Sequence, residues 1–351
     1  MTPQFDVLVV GELNVDLILN GLPQLPVVGK EILAKAMTLT LGSSSAIFAS
    51  NLSSIGAKVA FLGKVGEDLF GDLAVNCLRD RKVYAAMIRR TSEHATGATI
   101  VLNRGEDRAM VTYMGAMEHL TLPEITVDRL RTSRHLHFAS VFLQPGLRRD
   151  VGNLFRLAKE CGLTTSFDPQ WDPAEAWDLD LPDILPYVDV FLPNEQELLH
   201  LTGKADVQAA LASLQPFAHT VVVKQGNLGS QAMAGGKIHF CPPFLNRDVV
   251  DAIGAGDSFD AGFISCFLAG ENPEACLRFA NLMGAVSTTA AGGTGAFTDR
   301  AGVMVDLRWS ESIPIAGSVA PRIRGLPTDR TRRNVVTLHS AGSKPRKPLP
   351  K

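Results

Sequence analysis

The sequence predicts an α/β fold in which a mostly parallel sheet carries helices on both faces. Three observations predict it. From about His135 onward, strand-length apolar runs alternate with stretches of helical spacing, the pattern of βαβ units. The strands read as continuous apolar runs, such as Val7-Leu8-Val9-Val10, which a sheet covered on both faces requires. Val249-Val250 leads to Gly254-Ala255-Gly256, after which Phe259, Phe263, Ile264 and Phe267 recur at helical spacing, as in a turn entering a helix. The 351 residues allow one large domain with insertions, or two domains.

Taken in order, residues 5–13 read as a buried strand running into Gly11-Glu12-Leu13-Asn14-Val15-Asp16. Polar groups at the C-terminal end of a parallel strand commonly face a ligand crevice; a plain polar turn is the alternative. Residues 32–41 alternate weakly, as an exposed strand does. Gly42-Ser43-Ser44-Ser45-Ala46 then opens a helix carrying Ile47, Phe48, Leu52 and Ile55, with the serines available as N-caps. Residues 59–62 form a strand before the glycine-rich loop 63–71. Residues 96–102 and 109–114 flank the polar stretch Asn103 to Arg108 as a hairpin. Strands follow at 136–141, 164–167, 188–192 and 220–223, with helices at 151–161 and 274–289.

The chemistry gathers at the glycine turn. The first N–H groups of a helix lack internal partners and lie at the positive end of its dipole. Glycines there let a phosphate approach the backbone. Asp257 stands in the first turn, beside such an anion. A simple phosphate binder would carry Lys, Ser or Thr instead. A carboxylate fits if it removes a proton from a hydroxyl attacking phosphorus; the alternative is a carboxylate that only complements the dipole. Gly254-x-Gly256 lacks the third glycine of a dinucleotide fingerprint, because Phe259 stands there, and no G-x-x-x-x-G-K-[ST] occurs.

Asp251, Gly254, Ala255, Gly256, Asp257, Phe259 and Gly262 resemble the D-x-x-G-A-G-D-x-F-x-x-G signature of the ribokinase, or PfkB-type, carbohydrate kinases. The resemblance covers about residues 5–312. Gly11, Asn14 and Asp16 match the family's G-x-x-N-x-D, and residues 63–71 match G-x-[VI]-G-x-D-x-x-G. At the first signature, G-G-x-x-x-N, this chain has Gly42, then Ser43 for the second glycine and Ile47 for the asparagine. Asn194 and Glu197 match N-x-x-E.

The resemblance implies a ribokinase-like doubly wound sheet with a small β-sheet lid, from about residues 14–40 and 95–118, within a kinase domain of residues 1–315. It implies ATP and Mg2+, with Asp257 as general base and Gly254, Ala255 and Gly256 as the anion hole. The acceptor would be held by Asn14, Asp16, Gly42, Ser43, Ile47 and Gln144. The nucleotide would meet Asn194, Lys224, Gly226, Gly229 and Asn281, with Glu197 holding magnesium through water. Members with a monovalent cation, K+, bind it near the equivalents of Asp251, Ile253, Ser287, Ala290 and Gly292. Asp168-Pro169-Gln170-Trp171 falls where relatives carry a polar residue facing sugar or phosphate. A homodimer through the lid is a further expectation.

Composition bounds the partners. The chain is 46% hydrophobic and 20% charged, ordinary for a globular protein. Residues 316–351 hold nine Lys and Arg against one Asp, a net +8 that leaves −10 for the rest of a chain of formal charge −2. An acidic body argues against nucleic acid as the main ligand, and the basic, Pro-rich tail is expected to be disordered. Cys77, Cys161, Cys241, Cys266 and Cys276 lack C-x-x-C spacing, which suits reduced thiols in a cytoplasmic protein without a zinc site. No apolar run is long enough for a bilayer, so no membrane partner is expected. The leading expectation is an ATP-dependent kinase of a small sugar or polyol. A nucleoside kinase and a catalytically weak sugar or nucleotide sensor are the alternatives; ATP turnover against a sugar panel separates them.

Overall fold

The computed structural model describes residues 3–104, 107–244, 246 and 249–298. The hairpin tip at 105–106 and the basic tail lie outside these residues. The strands are β1 (Phe5–Val10), β2 (Asn14–Asn20), β3 (Ala36–Leu41), β4 (Val59–Leu62), β5 (Lys64–Gly66), β6 (Arg89–Thr91), β7 (Gly97–Arg104), β8 (Asp107–Tyr113), β9 (Ser133–Ala139), β10 (Thr164–Asp168), β11 (Val190–Phe191), β12 (Thr220–Lys224), β13 (Ser230–Ala234) and β14 (Lys237–Cys241). The helices of eight residues or more, among the described residues, are α1 (Ser44–Ser54), α2 (Leu69–Asp80), α3 (Val151–Glu160), α4 (Glu195–Thr202), α5 (Val207–Leu214), α6 (Ala255–Leu268) and α7 (Pro273–Ser287).

The main sheet has eight strands in the order β14-β13-β12-β11-β10-β9-β1-β4. From β12 to β4 all neighbours are parallel. Strand β1 explains why both faces are covered. Leu8 and Val10 point into one core with Leu154 and Phe155 of α3, Leu198 of α4 and Leu211 of α5. Val7 and Val9 point into the other, with Phe48 of α1, Val75 of α2, Phe263 of α6 and Leu277 of α7. Glu12, Asp168, Asn194 and Lys224 all follow or close the carboxyl ends of parallel strands, where ligand crevices form.

A second sheet, in the order β3-β2-β7-β8, has two unlike faces. The register aligns Asp16 with Thr99, and Thr99 with Thr112. The intervening positions align Leu17 with Leu39 and Ile100, and Ile100 with Val111. Period-two alternation therefore puts Asp16, Thr99 and Thr112 on the inner face and the apolar row of Leu17, Leu39, Ile100 and Val111 on the outer one.

Several boundaries differ from expectation. The strand expected over 5–13 stops at Val10 because the chain leaves the main sheet at Gly11, where Ser45 fills the space of a Cβ, and Asn14 begins β2 in the second sheet. The strand expected at 188–192 pairs only over Val190–Phe191. The β13–β14 hairpin adds two antiparallel strands that sequence reading missed. Its signal is Gly235-Gly236, both at positive φ (56° and 75°), the backbone a two-residue hairpin turn demands. Val249 and Val250 are exposed and form no strand.

Candidate active site

The site is built around two glycines with different duties. Gly254 takes φ 74° and caps α6 without a side-chain bond. A Cβ there would lie 2.5 Å from Gly293 Cα and 3.0 Å from Ile47 Cγ2, so conformation and packing both require glycine. At Gly256 the nearest atom to a Cβ would be Lys224 Nζ, at 3.8 Å, leaving the backbone open. The Ala255 N–H turns back to Ala252 O. The N–H groups of Gly256 and Asp257 have no acceptor among the described residues and face outward at the positive helix end.

These groups line a cavity of about 470 Å³ that also gathers Asn194, Glu197, Lys224, Gly226, Gly229 and Asn281. Asp257 lies on its wall, buried. Gln170 Nε2 donates to Asp257 Oδ1 at 3.1 Å, and the Ser44 hydroxyl also bonds this carboxyl. Burial, then the Asp168 charge, push the Asp257 carboxyl up to about 6, against the lowering pull of Lys224, Ser44 and Gln170.

Behind Asp257 sits a buried charge cluster. Lys224 Nζ is 2.9 Å from Asp168 Oδ2 and 3.0 Å from Asp260 Oδ2. Burial disfavours the ammonium, but the two carboxylates outweigh it and raise its pKa. Burial would raise Asp168 as well; the Lys224 charge and the hydrogen bonds from Asp260 and Lys224 bring it below the usual range. Asp260 is held well above the carboxylate range, first by burial and then by the neighbouring Asp168, against the lowering pull of Lys224.

On the other side of Asp257, Asn14 and Asp16 converge over Gly42. A Cβ on Gly42 would meet Asp16 Oδ1 at 2.2 Å and Asn14 Oδ1 at 2.5 Å. Asn14 Nδ2 donates to Thr99 Oγ1 at 2.9 Å, while Asn14 Oδ1 is buried without a partner among the described residues. Burial, with Asp257 and Asp251 nearby, pushes Asp16 up to about 7. Three residues expected at the acceptor turn inward instead. Ser43 adopts φ 72°, a backbone normally left to glycine, and its hydroxyl caps α1 and donates to Glu12 O. Ile47 is buried, its side chain against Gly254 and Gly293. Gln144 is fully buried and its amide nitrogen donates to Ala139 O and Ser140 O.

Asn194 and Glu197 form a reciprocal capping box at the start of α4. Asn194 N and Nδ2 donate to the two Glu197 oxygens at 2.8 and 2.6 Å. Burial, then the Asp168 charge, raise Glu197 to about 8 despite Lys224. Asn281 lines the cavity, yet its amide nitrogen ties Cys241 O and Pro242 O to α7. Asp251 joins two loops by accepting from Ile253 N at 3.0 Å and Gly292 N at 2.9 Å. Among the described residues no group of three or more His, Cys, Asp or Glu could hold a metal by itself.

Sequence reading missed Ser44, Asp260 and Arg108. In the sequence Ser44 reads as one of three candidate N-caps, with Ser43 and Ser45. Asp260 stands one helical turn after Asp257, a spacing that puts both on one face. Arg108 pairs with Asn103, two steps beyond Val101 and Met110 on the inner face, and lines the cavity.

Residues 4–300 match the pfkB family carbohydrate kinases. A sugar kinase of Archaeoglobus fulgidus, itself uncharacterised, is 30% identical over 67% of this chain and 92% of its own length. The Arabidopsis thaliana ribokinase solved with ribose and ATP superposes with a TM-score of 0.75, at 24% identity, covering 87% of this chain and 99% of that one. An E. coli protein described as a ribokinase II, solved with ATP and Mg2+, superposes with a TM-score of 0.74 at 23% identity over 87% and 99% of the two chains. The fold is ribokinase-like, and the chain belongs to the pfkB carbohydrate kinase family as an ATP-dependent sugar kinase.

Proposed function

We propose that this kinase transfers the terminal phosphoryl group of ATP to a hydroxyl of a neutral sugar or sugar-like polyol, with Asp257 as general base. The observation that carries the reading is the position of Asp257 itself. It adjoins the unpartnered amides of the α6 N-terminus on one side and influences the Asp16 carboxyl on the other. A group so placed can reach a hydroxyl and a phosphate together.

The acceptor binds where Asn14 Oδ1 has no donor among the described residues and where burial and neighbouring carboxylates, with no hydrogen bond among those residues, set the Asp16 carboxyl; sugar hydroxyls supply the donors. Among the described residues no Lys or Arg hydrogen-bonds or pairs with Asn14 or Asp16, which favours a neutral acceptor over an acidic one. Asp257 takes the proton of the attacking hydroxyl, and a base near 6 is ionised at neutral pH while still able to accept. The N–H groups of Gly256 and Asp257 hold the charge that develops on the transferring group. Lys224 lends positive charge beneath Gly256, and Arg108, which makes no ion pair among the described residues, suits the triphosphate from the second sheet. Closure of that sheet over the cleft would exclude water.

Mg2+, when bound with the nucleotide, would neutralise phosphate charge. Glu197 would hold it through a bridging water; burial beside Asp168 favours the protonated acid in the free protein, and a bound cation would offset that and return the carboxylate. A monovalent cation fits between the loops joined by Asp251. The Ser287 hydroxyl there is fully buried and has no partner among the described residues, and carbonyls of Ile253, Ala290 and Gly292 would complete the set.

The outer face of the second sheet supports a homodimer through the lid. Met37, Leu39, Ile100, Val111 and Tyr113 are all at least 40% exposed there, an apolar patch of the kind that marks an interface. Light scattering on the purified protein tests it; a monomer at all concentrations would exclude it.

The kinase reading is tested by sugar-dependent ADP release across a panel of neutral pentoses, hexoses, acidic sugars and nucleosides. Turnover of a neutral sugar well above the sugar-free rate is expected. Preference for an acidic sugar or a nucleoside would overturn it.

A further inference from the structure

Among the described residues, Gln170 is the one side chain that hydrogen-bonds both Asp257 and the charge cluster behind it. Its Nε2 donates to Asp257 Oδ1 at 3.1 Å and to Asp168 Oδ2 at 2.6 Å. Both hydrogens of one amide nitrogen are thus spent on two carboxylates. The backbone that presents it is unusual. Gln170 has φ 58°, and Glu175 and Trp177 in the same loop have φ 50° and 51°, conformations that L side chains adopt at a cost.

The loop is held in that shape from two sides. The buried Asp172 carboxylate accepts the N–H groups of Ala174, Ala176 and Trp177 at 2.7–2.9 Å. Trp177 stacks on His200 of α4 at 4.8 Å between ring centroids, and Trp171 meets both rings edge-on. The helix that clamps the loop is the one whose N-terminus carries Asn194 and Glu197. Three strained residues and a carboxylate anchor therefore serve to aim one amide at Asp257.

We propose that Gln170 is a positioning residue that keeps Asp257 ionised and oriented for proton abstraction, by donating one hydrogen bond to it and anchoring the other on Asp168. This rests on Asp257 being the base. Among the described residues, the charges acting on Asp257 are Asp168 from β10, Lys224 from β12, Asp16 from β2, Glu197 from α4 and Asp260 from its own helix. Four of these five are carboxyl groups, so the donated hydrogen bond opposes their combined tendency to protonate Asp257. Without it, Asp257 stays protonated to higher pH and rotates free of its anchor.

The test is the pH dependence of kcat/KM for the best sugar in wild type, Gln170→Ala, Gln170→Gly and Gln170→Glu. In Ala and Gly variants the acid limb should move up by about one pH unit, the worth of one hydrogen bond to a charged group. Much of the activity lost at pH 6 should return at pH 8.5. Gln170→Glu, which replaces the donor by a charge, should move the limb further. Gln170→Gly keeps the test decisive if the Ala variant folds poorly, because glycine relieves the positive φ. A pH-independent deficit, or an unmoved limb in folded variants, overturns the proposal. Asp257→Asn measured alongside separates the two readings: an inactive Asn variant with unmoved Gln170 limbs rejects this role alone, whereas an active one rejects the base.

Discussion

Lys224 and Asp168 form a buried ion pair 2.9 Å apart, set where a side chain on Gly256 would first make contact. Asp260 shares the same ammonium at 3.0 Å. Removing the lysine leaves two carboxyl groups in low dielectric with no counter-charge. Lys224→Met should therefore cost about 3–5 kcal/mol of stability, the usual penalty for orphaning a buried charge. Adding Asp168→Asn should return part of it. Denaturant unfolding of the single and double variants checks this; equal stability of Lys224→Met and wild type would contradict it.

The buried carboxyls make the free enzyme less stable as pH rises. Glu12 accepts hydrogen bonds from Ser45 and Ser140, yet burial outweighs them and raises it from 4.5 to about 7. Asp257, Asp16 and Glu197 are raised to about 6, 7 and 8. Each binds its proton more tightly folded than unfolded. The resulting loss of stability begins above the unfolded pKa near 4 and is complete above the folded one, so it spans roughly pH 4–8. Glu12→Gln keeps the shape and removes one such group. It should raise Tm at pH 8, by on the order of 3 kcal/mol in stability, and change little at pH 4. A variant that melts lower than wild type at pH 8 would refute this.

The two glycines should separate by phenotype. Gly254→Ala forces a Cβ onto Gly293 at a positive φ, so stability should fall by several kcal/mol. Gly256→Ala meets nothing within 3.8 Å and replaces glycine inside a helix, which favours folding by about 0.5–1 kcal/mol. It should still lower kcat, because the methyl stands where a phosphate approaches. Melting temperatures and kcat measured together decide; loss of stability in both variants would show that the division is wrong.

Ile47→Asn should act on the turn. The side chain packs on Gly254 and Gly293, so an amide there is buried without a partner and unseats the loop. Melting temperature and kcat should drop while kcat/KM ratios across a sugar panel stay fixed. A shift in sugar preference at unchanged stability would return Ile47 to the acceptor pocket.

Much of this was legible in the sequence where the signal is local. The glycine turn, Asp257 and the capping pair Asn194–Glu197 each occupy a few consecutive residues, and the strand–helix alternation from His135 repeats at short range. What was not legible depends on register or rotation. Lys224 reads as a turn residue until β10, β11 and β12 are laid side by side. Ile47 and Gln144 fit a pocket or a core equally well until the rotation of α1 and the turn after β9 are known. Ser43 shows the limit of reading glycine from φ alone, since here a serine accepts φ 72° with two hydrogen bonds to hold it. The Gly235-Gly236 hairpin has a local signal of its own, two successive glycines, but it lies inside a stretch whose apolar runs otherwise follow parallel alternation.

Asp257→Asn tests the central claim most directly. The substitution keeps the shape and removes the base. With the best neutral sugar, kcat should fall by about 10²–10⁴-fold while ATP affinity, followed by nucleotide titration, stays near wild type. A variant that binds ATP and turns the sugar over at close to the wild-type rate would contradict it.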